Sequence, residues 1–174
     1  MGVDEYYLMD KEAMTVPVGA NRLLYLPYLM GERTPHLDPD ARGVFFGLSA
    51  MHTKKDMLRA VLEGVSYSLR DCVEVFREMN INVSDMMACG GGGSSPLWRS
   101  MLADLYNCPV KTAASKEGPA LGAALLALTG AAFIPAFLRL VMLLSERIRY
   151  SSRTLKTYLS MKNITSFTER YILL

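Results

Sequence analysis

The feature that most constrains the fold is a run of glycines and serines between an apolar segment and a helix-like segment. Gly90–Gly93, Ser94 and Ser95 follow the apolar residues 85–89 and precede a helical pattern over 97–106. Because glycine has no Cβ, this backbone can turn sharply and its N–H groups can approach a ligand. A helix that opens here adds unpaired amides and the positive end of its dipole. The run predicts either a phosphate-binding loop or a plain strand-to-helix turn, and no Walker Gly-Lys-Ser/Thr sequence follows it.

Composition excludes several classes of protein. The chain has 174 residues, 51% of them hydrophobic, which is enough for one globular domain with a sizeable core. A net charge of +2 without a clustered basic face predicts no nucleic-acid partner. Three cysteines without metal-ligand spacing favour a reduced, cytoplasmic protein. The N-terminus has acids where a signal peptide has bases, and the longest apolar run is too short for the ~20 residues that cross a bilayer, so a membrane is not expected.

In the first half of the chain, most segments give only weak indications of secondary structure, and one segment clearly predicts a long helix. Residues 1–20 are predicted to be irregular, and 31–43 form a turn-rich segment with two prolines and two glycines. Pro27 interrupts the apolar residues 23–30, which indicates an edge strand or an extended loop. Thr53 is the predicted N-cap of a long amphipathic helix that reaches Met79. Its apolar positions recur at helical spacing: Met57, Ala60, Val61, Val65, Leu69, Val73 and Phe76.

Shorter elements follow in alternation. The pattern predicts a strand at 85–89, a helix at 97–106, a strand at 110–113 and a helix rich in small residues at 119–128. The resulting order of helix, strand, helix, strand and helix is typical of an α/β layered domain.

Charge and glycine usage divide the chain near Gly130. All 13 glycines and 15 of the 17 acidic residues lie at or before Gly130, whereas residues 131–174 contain 7 of the 19 lysines and arginines. Such a shift can mark a domain boundary or a basic tail.

Several segments in one order resemble the C-terminal domain of the FGGY carbohydrate kinases, most closely that of the xylulokinases. The resemblance covers about residues 4–130. Residues 26–48 are similar to the segment that opens the second half of that domain, and residues 43–63 fit the spacing of the family's C-terminal signature. Residues 89–110 resemble its glycine-rich nucleotide loop and following helix, and 117–127 its last helix.

The resemblance implies a fold and a reaction. These kinases have the ribonuclease H-like fold of the actin and Hsp70 ATPases, so we expect an α/β domain that is a partial copy of this C-terminal domain. They transfer the γ-phosphate of ATP to a sugar hydroxyl with Mg²⁺ in the cleft between two domains. The implied ligands are therefore ATP or ADP, Mg²⁺ and a ketopentose, with xylulose converted to xylulose 5-phosphate; the oligomeric state is left open.

The resemblance also assigns residues. Gly90, Gly91, Gly92, Gly93, Ser94 and Ser95 are the expected nucleotide-binding residues, with Gly91 and Gly92 near the phosphates and ribose and Ser95 facing the ribose or adenine. Trp98 is expected to pack its helix rather than contact the ligand. Asp104 is either a polar anchor or a solvated helix residue, and the second is expected. Glu32, Arg33 and His36 are interpreted as a structural ion-pair cluster rather than as catalytic residues. Ala120, Gly122, Ala123 and Ala124 are expected to pack closely against the sheet or the floor of the nucleotide site.

No catalytic or metal-binding residue is predicted in this chain. In the family, the sugar-binding residues, the first phosphate loop and the catalytic aspartate lie upstream of the segments found here. Phosphoryl transfer depends on positioning and electrostatic stabilisation from both sides of the cleft. We therefore interpret residues 1–130 as part of a sugar kinase that is inactive alone. The alternative is a non-catalytic nucleotide-binding or interaction module with an actin-like half domain.

Residues 131–174 are predicted to be an unrelated tail. The family's segments that should follow the last helix are absent here, but codons compatible with residues 131–145 and 160–174 can encode similar segments in another frame. We hypothesise a frameshift near Gly130, which a stop codon in that frame of the gene would refute. The tail is then expected to be disordered or loosely helical. The alternative is a basic amphipathic helix that binds a membrane or a partner.

Overall fold

A computed structural model describes residues 5–113, 119–131 and 148–151. Helix α1 spans Glu5–Met14, and a short 3₁₀ turn at Ala20–Arg22 leads into strand β1, Leu24–Leu26. Strand β2 spans Val44–Phe46, and helix α2 spans Lys54–Glu78. Strand β3 is Met86–Met87, helix α3 is Gly90–Ser94 and helix α4 is Pro96–Tyr106. Strand β4 (Val110–Ala113), helix α5 (Pro119–Gly130) and strand β5 (Ile148–Ser151) complete the order.

The strands form two small sheets. Strands β1 and β2 pair antiparallel, with Leu24 opposite Phe46. Strand β3 pairs parallel with β4, with Met86 opposite Val110, and β5 pairs antiparallel with the other edge of β4. Helices α3 and α4 form the crossover between β3 and β4, as parallel pairing requires. The alternation of helix and strand predicted from the sequence is confirmed from α2 onward.

Helix α2 begins where the sequence indicates. The carboxylate of Asp56 accepts hydrogen bonds from the N–H and hydroxyl of Thr53, both at 2.7 Å, and from the side-chain amide of Asn21 at 2.7 Å. These bonds lower the pKa of Asp56 to about 2, since they favour the charged carboxylate. The bond from the Thr53 N–H also occupies one of the backbone amides that the start of a helix leaves unpaired.

A buried ion pair attaches the N-terminal segment to α2. The Nε of Arg59 lies 2.6 Å from the carboxylate of Glu63, and both side chains are almost fully buried. The same carboxylate accepts the N–H of Gly19 at 3.0 and 3.2 Å. One turn of α2 therefore fixes the backbone just before the 3₁₀ turn.

Two clusters of apolar side chains form the core. The larger surrounds the end of α4 and includes Val73 of α2 and Val110 of β4. The smaller joins Ala20 and Leu23 to Ala60 of α2. Helix α2 contributes to both clusters and therefore connects the two sheets.

The structure bears on the predictions made for the two ends of the chain. Residues 1–20 were expected to be irregular, but 5–14 form α1, so that expectation is wrong there. Of the predicted tail 131–174, residues 148–151 are extended in β5, and most of the rest lies outside the described residues. The separate origin of the tail stays a prediction. None of the helices in the described part of the chain is both long and apolar enough to span a bilayer.

Candidate functional site

The glycine run forms one short helical turn between β3 and α4. Helix α3 begins at Gly90 after the extended residue Cys89 and ends at Ser94. Gly90 has a φ of +72°, a left-handed conformation that favours glycine. The glycine run therefore lies between a strand and a helix, as expected, but the run itself forms a short helical turn.

Protein packing accounts for two of the four glycines. A Cβ on Gly92 would lie 2.6 Å from the ring of Trp98, and one on Gly93 would lie 2.4 Å from the carbonyl oxygen of Ala88. A Cβ on Gly91 would meet nothing within 4 Å among the described residues, and the φ of Gly91 is not in the left-handed region. Packing and conformation within the described residues therefore leave the glycine at position 91 unexplained.

Ser95 caps the helix that follows. Its Oγ accepts the N–H of Trp98 at 3.0 Å, and its own N–H donates to the carbonyl of Gly92 at 3.3 Å. Pro96 occupies the first helical position and has no N–H. Fewer backbone N–H groups are therefore free to bind a ligand at the start of α4 than the sequence suggested. The Ser95 hydroxyl and the Gly92 carbonyl accept two of them, and Pro96 has none.

Trp98 packs its helix, as expected. Its Nε1–H donates to the Oγ of Ser66 on α2 at 2.8 Å, and its ring lies against the larger core cluster and over Gly92. The indole thus links α2, the glycine turn and α4.

Arg99 is a residue of this site that the sequence reasoning missed. Its Nη1 donates to the carbonyl of Gly93 at 2.5 Å, so its guanidinium holds the end of the glycine turn. Its Nε is buried and has no hydrogen-bond partner among the described residues. The signal available in the sequence was one arginine in the first turn of the helix after the glycines, which is too common a pattern to single out.

A pocket of about 400 Å³ lies beside the glycine turn, between α2, β3 and α4. Its lining is mostly apolar and includes Gly92, Gly93 and Trp98. Burial raises the pKa of two ionisable groups in the lining, the Cys72 thiol and, more strongly, the Tyr106 hydroxyl. The lining contains no Asp, Glu, Lys, Arg or His and does not include Gly91.

Glu32 and His36 make contacts of the kind expected for a structural cluster, but the expected ion pair of Arg33 is not found within the described residues. The Glu32 carboxylate accepts the backbone N–H groups of Thr34, His36 and Leu37, at 2.6, 2.7 and 3.1 Å. The Nε2 of His36 lies 3.1 Å from the carboxylate of Asp71 on α2. Glu32 therefore orders its own loop, and His36 connects that loop to α2.

One other expectation was wrong: Asp104 was expected to be solvated but is 1% exposed, because the last six residues of α4 are buried. Ala120, Ala123 and Ala124 of α5 are exposed, so they do not pack against the sheet within the described residues, and their packing against the floor of a nucleotide site stays a prediction. Within the described residues, no group of three or more His, Cys, Asp or Glu side chains is arranged to hold a metal.

The known proteins that this chain resembles in sequence include sugar kinases of one family. The domain described as "FGGY family of carbohydrate kinases, C-terminal domain" matches residues 4–131. A xylulose kinase of Bacillus subtilis is 44% identical over 126 residues, which are 72% of this chain and 25% of that protein. A gluconokinase of the same organism is 41% identical over 138 residues, 79% of this chain and 27% of that protein.

The solved structures agree with the sequence matches. The structure of a ligand-bound xylulose kinase from Lactobacillus acidophilus superposes with a TM-score of 0.76 at 27% identity, over 93% of this chain and 33% of that one. The ribonuclease H-like fold expected from the sequence is thereby confirmed as a partial copy. The chain spans about a quarter of the length of the curated relatives that it matches.

Proposed function

Because this chain belongs to the FGGY family of carbohydrate kinases and carries that family's C-terminal domain, we propose that Gly90–Ser95 form one wall of an adenine-nucleotide site. The observation that carries the proposal is Gly91. Gly90 is explained by its φ, and Gly92 and Gly93 by their contacts with Trp98 and Ala88. A glycine that neither packing nor conformation explains suits a backbone that a ligand approaches closely.

The chemistry around the turn fits an anionic ligand. The first amides of a helical turn have no intrahelical acceptor, so those of Gly90 and Gly91 can donate to phosphate oxygens. The Arg99 guanidinium, held on the Gly93 carbonyl, adds positive charge beside them. When bound, ATP supplies the transferable γ-phosphate, while this chain's residues hold and orient the nucleotide.

The sugar, the metal and the catalytic base belong to the larger enzyme of which this domain is a part. We propose xylulose as the sugar, supported by the higher identity to a xylulose kinase than to a gluconokinase. Mg²⁺ would accompany the bound nucleotide. The separate thiols of Cys72, Cys89 and Cys108 support a reducing, cytoplasmic setting.

We expect no phosphorylation of xylulose by the purified chain alone, because half a cleft cannot position both substrates. The measurement is ADP release in the presence of ATP, Mg²⁺ and xylulose. ADP release that depends on xylulose would contradict this expectation.

Calorimetric titration with ADP tests the nucleotide wall separately. Gly91→Val should weaken ADP binding by about tenfold or more, since a branched side chain blocks approach to the turn. The matched control is Gly130→Val, at a glycine whose Cβ would also meet nothing within 4 Å among the described residues but which lies at the end of α5. Equal affinities for the two variants would refute the assignment.

A further inference from the structure

The glycine turn has few side chains of its own to hold its shape. Four of the five residues of α3 are glycines, and glycine is a poor helix former because it loses more backbone freedom on ordering than any other residue. Ser94 is the one residue of the turn with a side chain beyond hydrogen, and its Oγ makes a long hydrogen bond of 3.4 Å to the carbonyl of Gly90. Contacts from outside the turn therefore hold most of it in its helical conformation.

Helix α4 supplies these contacts. The N–H of Ser95 donates to the carbonyl of Gly92 at 3.3 Å, and the ring of Trp98 covers the same glycine. Arg99 holds the next residue, because its Nη1 donates to the carbonyl of Gly93 at 2.5 Å. A hydrogen bond from a guanidinium is charge-assisted and is stronger than one between neutral groups. The guanidinium is therefore the charged anchor of the turn.

Gly93 is held by the sheet as well as by α4. It is buried, and a Cβ at this position would lie 2.4 Å from the carbonyl oxygen of Ala88, just after β3, and 3.4 Å from the Oγ1 of Thr112 on β4. The sheet therefore limits the movement of Gly93, and Arg99 fixes its carbonyl. Because Gly91 lies only two residues earlier in the same turn, the conformation of Gly91 depends on how Gly93 is held.

The guanidinium of Arg99 is placed to act on the turn. Its Nη1 is engaged with the Gly93 carbonyl. Its Nε is buried and has no hydrogen-bond partner among the described residues, so a ligand in solution cannot reach it in this conformation. Neither nitrogen is therefore available to a phosphate, whereas the space beside Gly91 is open among the described residues.

We propose that Arg99 is a positioning residue for the nucleotide, which holds the Gly93 carbonyl and thereby keeps the backbone of Gly91 in the conformation that binds ADP. This rests on the proposed function of Gly90–Ser95 and adds that Arg99 acts through the turn without touching the phosphates. Removing the guanidinium then changes the turn before any nucleotide is added. Removing a direct phosphate contact would instead change only the binding step.

The test uses the full chain, labelled with ¹⁵N, first without ADP and then titrated with it. Without ADP, Arg99→Met should speed hydrogen exchange of the Ser95 amide about tenfold or more, because the Gly92 carbonyl that accepts this amide belongs to the released turn. With ADP, the same variant should weaken binding about tenfold. Arg99→Lys keeps a charged donor, and since one nitrogen makes the bond to Gly93, it should bind ADP within about threefold of the parent chain.

Arg77→Met is the matched control, because Arg77 also donates to a backbone carbonyl, that of Tyr106 at the far end of α4. It should leave the Ser95 exchange and the ADP affinity unchanged. The Trp98 indole N–H, which donates to Ser66, should stay protected in every variant and so verify that α2 and α4 still pack together.

Unchanged Ser95 exchange in Arg99→Met would overturn the proposal, and so would an unchanged ADP affinity. A weaker salt dependence of ADP binding in Arg99→Met than in the parent chain would also overturn it, since it would reveal a direct ionic contact. If the parent chain bound no ADP, the proposed function would fail and this inference with it. Faster Ser95 exchange in Arg99→Met would then show that Arg99 holds the turn without serving a nucleotide.

Discussion

Gly64→Ala should destabilise the protein even though alanine is the better helix former. Gly64 lies in the middle of α2, where β1 crosses the helix. A Cβ at this position would lie 2.1 Å from the carbonyl oxygen of Tyr25, 3.0 Å from its carbonyl carbon and 3.1 Å from its Cβ. Two of these three atoms belong to the backbone of β1, so a side-chain rotation cannot relieve the overlap.

Gly64→Ala has two opposing effects on the free energy of unfolding. Replacing glycine by alanine inside a helix contributes about 1 kcal/mol of stability. To restore an ordinary contact, β1 and α2 must separate by more than 1 Å at this point, and overpacking of this kind typically costs about 1–3 kcal/mol or more. Since β1 also pairs with β2, the displacement spreads into that sheet. Because a contact of 2.1 Å with a backbone oxygen is a severe overlap, we place its cost at about 2–3 kcal/mol and expect a net loss of about 1–2 kcal/mol.

Urea unfolding followed by circular dichroism measures this loss. Gly122→Ala on α5 is the control, because its Cβ would have open space among the described residues and its expected change is neutral or stabilising by up to about 1 kcal/mol. If Gly64→Ala were as stable as the parent chain or more stable, the reasoning from close approach would be refuted.

Two further predictions concern α2 and its neighbours. Asp56→Asn should cost about 1 kcal/mol at neutral pH, because the charged cap of α2 is lost. The pKa of Asp56 is about 2 in the folded protein against an ordinary 3.8, so its carboxylate should stabilise the fold fully above pH 3.8 and lose this effect as the pH falls through about 2. Unfolding curves at pH 2 in which the parent chain and Asp56→Asn still differ in stability as much as at neutral pH would contradict this. Trp98→Phe should cost about 1–2 kcal/mol through loss of the hydrogen bond to Ser66. In a double-mutant cycle with Ser66→Ala the losses should be less than additive, and strict additivity would exclude the coupling.

The sequence predicted the elements that have a strong local signal. The apolar spacing and the Thr53 cap identified α2 to within a residue at each end, and β4 was predicted at its observed bounds. Helix α1 was missed because it has little amphipathic pattern: Tyr6, Tyr7 and Leu8 are exposed and Ala13 is its one buried residue. Strand β2 was missed because three residues are too short for a period of two to be recognised.

The sequence motif located the candidate nucleotide site but did not predict the geometry of that site. The glycine run could be identified from its position between a strand and a helix, but its helical conformation could not, since glycine disfavours helices and the flanking contacts impose it. The buried state of Asp104 and the Gly93–Arg99 hydrogen bond depend on how α4 packs in three dimensions. The exposure of Leu69 and Phe76 was also unpredictable, because helical periodicity identifies a face and not what covers it.

The most direct test of the nucleotide wall is a map of amide chemical shifts in the full chain during titration with ADP. We predict that the largest concentration-dependent shifts lie on Gly90–Ser95 and extend to Arg99, with little change in β1, β2 and α1. We also predict that Gly91→Val suppresses these shifts while leaving the rest of the spectrum intact. Saturating shifts centred elsewhere, or none at Gly90 and Gly91 at high ADP concentration, would show that Gly90–Ser95 do not bind the nucleotide.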